Sequence, residues 1–254
     1  MTIGQILDTL YAFAPRELVA PWDHCGLQVG DAEADCTGIV TCLDVTLPVI
    51  REATEHGCNL IVSHHPLLFH GLQTVCTGDA VSEIVVQALR SGIHIIAMHT
   101  NLDACDGGIN DAWMQQLECT DVQGSGSFER IGTGEAIRFA DWVERVRSLS
   151  CDRVRAVGAA DKVCSKICVS SGSGGRDEAT IVELRRQGVD ILITSEIKHS
   201  VACALAHYGI CWIELTHYAG EVIAAQLLAD ALSDTGLQVR VSQSQTSPYR
   251  EYLD

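Results

Sequence analysis

Four imidazoles and two carboxylates fall into three short clusters: His64 and His65 in LIVSHHPLLFHG (60–71), His99 and Asp103 in IHIIAMHTNLDACDGGIND, and His217 and Glu221 in CWIELTHYAGEVIAAQLL. Each cluster directly follows a short apolar run. Two adjacent imidazoles cannot both face a hydrophobic core; on a strand they point to opposite faces, whereas in a loop both can turn toward one site. Pro66 restricts His65 to extended conformations and stiffens that exit. His217 and Glu221 stand at i and i+4, so on a helix they share one face with β-carbons about 5–6 Å apart. Nitrogen and oxygen donors without thiolate suit zinc, iron or manganese. Six donors exceed the roughly four that one zinc takes. Two divalent ions about 3.5–4 Å apart, bridged by a carboxylate and a hydroxide, would use the set.

Other chemistry-bearing stretches are fewer. TSEIKHS puts Glu196, Lys198 and His199 after another apolar run. Glu196 or His199 could carry protons in the same cleft, as could His99; a structural ion pair is the alternative. SSGSGGRDEATIVELRRQG passes through a glycine-rich turn (172–175), which offers backbone amides to a phosphate or simply allows a tight turn. The common dinuclear-hydrolase runs, His-Glu-x-x-His, the Gly-x-Ser-x-Gly elbow and the P-loop are all absent.

The elements that must position these residues alternate. Apolar runs of buried-strand length lie at 38–45, 59–63, 93–98, 166–171, 190–194 and 211–215, and amphipathic stretches lie at 47–57, 79–91, 106–117, 176–188 and 219–235. Alternation of this kind predicts an α/β fold with mainly parallel sheets. The three donor clusters then lie past the carboxyl ends of separate strands, the edge where ligands of open α/β sheets gather. Small, flexible residues interrupt the pattern at 122–132 and predict a boundary near residue 125. The expected plan is a metal-binding lobe, 1–125, completed by 217–254, and a second α/β lobe, 126–216.

Composition narrows the function classes. A net charge of −16, from 17 basic and 33 acidic side chains with no cationic cluster, disfavours nucleic acid. No apolar run approaches the roughly 20 residues that cross a bilayer, and the first residues carry no basic leader, so a cytoplasmic protein is expected. Twelve cysteines without a Cys-x-x-Cys pair predict reduced thiols; Cys164 and Cys168 are expected to pack as small hydrophobes.

Seven motifs follow one another along the chain: WDHCGLQVG (22–30), CLDVT (42–46), SHHPLLF (63–69), HTNLDACDGGIND (99–111), SSGSGG (170–175), ITSEIKHS (193–200) and THYAGE (216–221). Together they closely resemble the Nif-three-like dinuclear-metal hexameric family, also known as type-two GTP cyclohydrolase I homologues. The resemblance implies two interlinked α/β lobes, a toroidal homohexamer and a two-metal site facing its cavity. Matched motif to motif, it puts the metal ligands on His64, His65, Asp103, His217 and Glu221, with His99 in a supporting position. The chain departs from the family pattern at His24, Ser195, Ser200 and Thr216. The activity implied is metal-dependent hydrolysis, in which a metal-bridging hydroxide attacks the imidazole-ring carbon of GTP and formate leaves, or attacks another small anionic substrate. The other reading is a hexamer that binds, stores or delivers metal, or acts as a scaffold, without catalysis.

Overall fold

The computed structural model describes residues 1–173 and 178–249. Within them the β-branched runs form strands, as that residue type favours. In chain order these are β1 (Gly26–Val29), β2 (Ile39–Cys42), β3 (Leu60–Ser63), β4 (His94–Ala97), β5 (Thr120–Gln123), β6 (Arg130–Arg138), β7 (Arg155–Val157), β8 (Val163–Ser170), β9 (Ile191–Ser195), β10 (Cys211–Leu215) and β11 (Val239–Val241). They make two sheets, one ordered β1-β4-β3-β2-β11 and the other β5-β6-β8-β9-β10-β7. The fold is α/β, with helices following most of the parallel strands.

In the first sheet β4, β3, β2 and β11 run parallel and β1 closes the edge antiparallel to β4. Cys42 pairs with Ser63 and Ser63 with Ala97, so the three central strands end in step. Every residue of β2 and β3 is buried, as expected of parallel strands covered on both faces. The helices Leu47–Glu55 and Ala80–Arg90 are N-capped by the Thr46 and Asp79 side chains. Val49, Ile50 and Val85 from these helices pack on Val40, Ile61 and Ile95 of the sheet.

The second sheet is mixed. β8, β9 and β10 are parallel; β5 and β6 add antiparallel strands on one side and β7 on the other. Its core includes Ile181, Leu184, Leu192, Leu205 and Trp212. The segment 122–132, expected to be a flexible interruption, is closed as the β5–β6 hairpin. Arg130 ties it: its Nη1 donates to the carbonyls of Gly124 and Ser127, each at 2.6 Å, and its Nε donates to Asp111 at 2.7 Å. The guanidinium is buried and its charge is met by a carboxylate. Small residues supply the turn and one long side chain supplies its cross-links, which hydropathy does not reveal.

The chain groups into two compact units: Met1–Cys105 with the segment from Ala224 onward, and Asp106–Ile223. The returning segment is fixed by β11 along β2 and by the Thr41 hydroxyl, which donates to the Ala225 carbonyl at 2.7 Å. Buried Glu52 adds a second tie. Its carboxylate accepts the Ser242 hydroxyl at 2.6 Å and the backbone N–H groups of Gln243 at 2.9 Å and Ser244 at 3.0 Å. No helix among the described residues is long and apolar enough to cross a membrane.

Burial works to raise the Glu52 pKa, but the hydrogen bonds outweigh it and leave it lowered. The stabilisation is therefore full above the unfolded glutamate pKa of about 4.3 and is lost as pH falls through the lower folded value. Glu52→Ala should reduce unfolding stability by about 2–3 kcal/mol at pH 7, measured by urea denaturation, with a smaller difference from the parent at pH 3.

Candidate metal centre

The donors of the first unit sit where β2, β3 and β4 end. The ladder continues past the strands: His64 N–H donates to Cys42 O, His65 N–H to Leu43 O and Met98 N–H to Ser63 O. This brings Asp44, His64, His65 and His99 to one sheet edge. His64, His65 and His99 each offer a donor atom within 4.8 Å of the others'. His64 is buried and its Nε2 stands 3.7 Å from Asp103 Oδ1.

Each of the three imidazoles has its Nδ1 against an oxygen that can only accept. His64 Nδ1 lies 2.9 Å from the Met98 carbonyl, His65 Nδ1 2.8 Å from Asp44 Oδ1, and His99 Nδ1 2.9 Å from Asp23 Oδ1. Nδ1 must therefore carry the proton, and in the neutral ring Nε2 keeps its lone pair. Such contacts fix the tautomer and aim of metal-binding histidines. Asp23 is itself held by the Thr100 hydroxyl at 2.5 Å and the Thr100 N–H at 3.1 Å. Burial would raise its pKa, yet the hydrogen bonds from His99 and Thr100 prevail and keep it well below the usual carboxylate range. Beside it, burial pushes the Cys25 thiol up to about 12. A protonated Cys25 is a hydrogen-bonding group, with Sγ 3.2 Å from both Asp23 Oδ2 and Asn101 Oδ1. Exposed Trp22 and Phe69 stand edge-on to the His99 ring, with centroids 6.4 and 6.1 Å away.

The second unit presents its own donors past β9 and β10. His217 begins the helix His217–Glu221, which Thr216 caps by accepting the Ala219 N–H at 3.1 Å. His217 Nε2 is 2.8 Å from Glu221 Oε2, and its Nδ1 is 3.2 Å from Glu196 Oε1. One imidazole thus has a carboxylate at each nitrogen. A neutral ring has one N–H and can serve only one of them, so the arrangement calls for a second proton or a shared cation at Nε2. Glu196 reaches this position from a left-handed backbone with φ +52°, a conformation that surroundings must enforce in a residue other than glycine. Gly172 explains part of the glycine-rich turn: a β-carbon there would come 2.2 Å from Glu221 Oε1, and its φ is +63°. Gly174 and Gly175 of that turn lie outside the described residues.

The first unit therefore assembles His64, His65, His99 and Asp103, and the second His217, Glu221 and Glu196. The contact that His199 makes is with Cys203, its Nε2 standing 3.6 Å from the Sγ. Asp23 and Asp44 fall within the WDHCG and CLDVT motifs, yet sequence reasoning does not single them out. The available signal is a carboxylate just past β2, at the level reached by His65 past β3. Two departures from the family pattern interlock: the Ser195 hydroxyl donates to the Thr216 carbonyl at 3.3 Å, and the Thr216 hydroxyl donates to Asp152 at 2.8 Å. All twelve cysteines are free thiols.

Residues 1–248 match the family model of Duf34/NIF3 (NGG1p interacting factor 3), and the chain belongs to that family. A Lactococcus lactis protein named GTP cyclohydrolase 1 type 2 homolog is 31% identical, over 98% of this chain and 99% of its own. The crystal structure of Staphylococcus aureus protein SA1388 superposes with a TM-score of 0.90 at 24% identity, covering 99% of each chain. A Bacillus cereus protein related to NIF3 gives 0.88 at 19% identity, again over 99% of each. These two structures share the fold.

Gly172→Ala should cost about 1–2 kcal/mol from the positive φ alone, and more if Glu221 cannot withdraw. Urea unfolding of the variant beside Gly188→Ala, which has φ +73° and open space around it, separates the two contributions; equal losses would show that Glu221 yields freely.

Proposed function

We propose that the two donor sets act together: His64, His65 and Asp103 of the first unit and His217 and Glu221 of the second hold two divalent metal ions, and the protein is a metal-dependent hydrolase of a small anionic substrate. The observation that carries this reading is the fixed tautomer of three neighbouring imidazoles, each with an acceptor-only oxygen on Nδ1. A structural histidine cluster has no need to commit all three rings in the same sense. The donor chemistry suits zinc, iron or manganese. Bound there, such ions supply Lewis acidity and a water acidic enough to ionise near neutral pH.

The chain's own residues do the rest. Asp44, Asp23 and the Met98 carbonyl keep the His65, His99 and His64 rings oriented, with a proton on each Nδ1. Glu196 performs that service for His217 and is exposed enough to exchange a proton with solvent or substrate. His99 stands beside the ligand pair as a positioning or proton-carrying group. The acidic surface disfavours long polyanions and leaves the charge of the ions to attract one small anion. The names of the relatives make nucleotides the first substrates to try. The homohexamer implied by the motifs belongs to the same proposal.

Protein reconstituted with zinc, iron or manganese should hold close to two metal equivalents per chain by elemental analysis; fewer than half an equivalent with every metal would end this reading. Asp44→Asn should weaken metal binding about 10–100-fold, because an amide can present N–H to His65 Nδ1 and release the tautomer of a proposed ligand. His70→Ala, on an exposed residue outside both donor sets, should leave metal content unchanged. Hydrolysis of a panel of nucleotides and phosphoesters should be lost on chelation and restored by metal. Full metal content with no turnover on any of them would favour the metal-carrying role.

A further inference from the structure

The first unit holds a pocket of about 450 Å³ that the metal chemistry does not use. Tyr11, Arg16 and Val19 line it from the end of the helix Ile3–Phe13 and the chain after it, and the approach to β1 and Leu68 complete its walls. Its polar side chains fall into two groups. Gln28, Asp23 and Cys25 are committed within the chain. Gln28 Nε2 donates to the His24 carbonyl at 2.7 Å, and its Oε1 accepts the Leu68 N–H at 2.8 Å. The Asp23 carboxylate accepts from the His24 N–H, the Cys25 thiol, His99 Nδ1 and both the N–H and the hydroxyl of Thr100, so its lone pairs are taken. Asp23 and Cys25 both hold His99, which sets the pocket beside the imidazole cluster.

Tyr11, Arg16 and His24 form the other group. The Tyr11 hydroxyl, the Arg16 guanidinium and the His24 ring make no hydrogen bond or ion pair among the described residues, although the chain has 33 acidic side chains for 17 basic ones. All three can donate. A guanidinium only donates, and a neutral imidazole keeps one N–H. Burial raises the Tyr11 pKa, with Cys25 adding to the rise and Arg16 opposing it, so the hydroxyl keeps its proton at neutral pH. Gly26 leaves room for that hydroxyl: a β-carbon there would come 2.7 Å from Tyr11 Oη.

Three uncommitted donors, one of them a fixed cation, beside a carboxylate that is already satisfied call for an anion. Arginine pairs with carboxylate and phosphate alike, but donors on three side chains match the three terminal oxygens of a phosphate monoester better than the two of a carboxylate. Val19, Leu27 and Leu68 add an apolar wall. The volume falls within the range of small-molecule sites and leaves space for an organic body beyond the phosphate. We propose that this pocket binds a small phosphate monoester, with Arg16, Tyr11 and His24 on the phosphate and the body of the molecule against Val19, Leu27 and Leu68. The inference does not rest on metal binding.

Phenyl phosphate is the probe, titrated calorimetrically into the full chain before and after treatment with chelator. It should bind both forms with a Kd of about 1 mM or tighter, with inorganic phosphate, benzoate and benzyl alcohol each weaker by about five-fold or more. Arg16→Gln, on an exposed residue, should weaken phenyl phosphate by about ten-fold, and Tyr11→Phe, which keeps the ring, by about five-fold. Arg90→Gln, on an exposed arginine outside the pocket, should change nothing. Loss of binding on chelation would put the probe on the metals and overturn this proposal while leaving the metal centre standing. No binding, benzoate binding as tightly as phenyl phosphate, or equal effects of Arg16→Gln and Arg90→Gln would overturn it too.

Discussion

The in-step ending of three parallel strands is the constraint on which the first unit's chemistry depends. Because Cys42, Ser63 and Ala97 are register partners, the residues just beyond them must meet. Asp44 then reaches His65, and the Met98 carbonyl reaches His64. A shift of one residue in β3 would reverse the sides of His64 and His65 and turn every core residue of that strand to the opposite face. The apolar faces of β2 and β3 therefore enforce the geometry of polar groups lying outside them. The second unit repeats the device with β9 and β10, where Ser195 pairs with Leu215, so that Glu196 and His217 meet just past their ends.

Fixing a tautomer and fixing a position are separate tasks here. Register and backbone ladder bring the imidazoles together; carboxylates and a carbonyl then decide which nitrogen each ring presents. Asp23 does this from a loop before β1, and Thr100 holds it in turn from the helix after β4. Cys25 contributes as a neutral thiol because its burial leaves it protonated. Ser195 and Thr216 reinforce the second unit's turn with their hydroxyls. Gly220 makes room for the first of these: a β-carbon at that position would stand 2.7 Å from Ser195 Oγ, so any larger residue would crowd the hydroxyl.

Much of this is legible in the sequence because it is local. The runs 59–63, 93–98, 190–194 and 211–215 form β3, β4, β9 and β10 within a residue or two, since apolar β-branched runs of that length have few other uses. The His64-His65 pair stands out because adjacent imidazoles after such a run are hard to bury. What stays hidden depends on contacts distant in sequence. β1, β7 and β11 are three or four residues long and carry too little pattern to read. The β5–β6 hairpin looks like an interruption because its cross-links come from Arg130. Asp23 resembles any turn aspartate until His99, 76 positions later, is seen against it.

The return of the chain to β2 has a consequence for synthesis on the ribosome. The second unit is continuous in sequence, so it can emerge and fold as a whole, whereas the first waits for residues made after it. Until β11 arrives, the outer edge of β2 offers unpaired backbone groups and the Thr41 hydroxyl lacks the Ala225 carbonyl it later donates to. An edge left open in this way is a template for a strand from another nascent chain. The interval lasts for the whole of the second unit's synthesis, so the early strands face their greatest risk of mispairing while the later unit is being made.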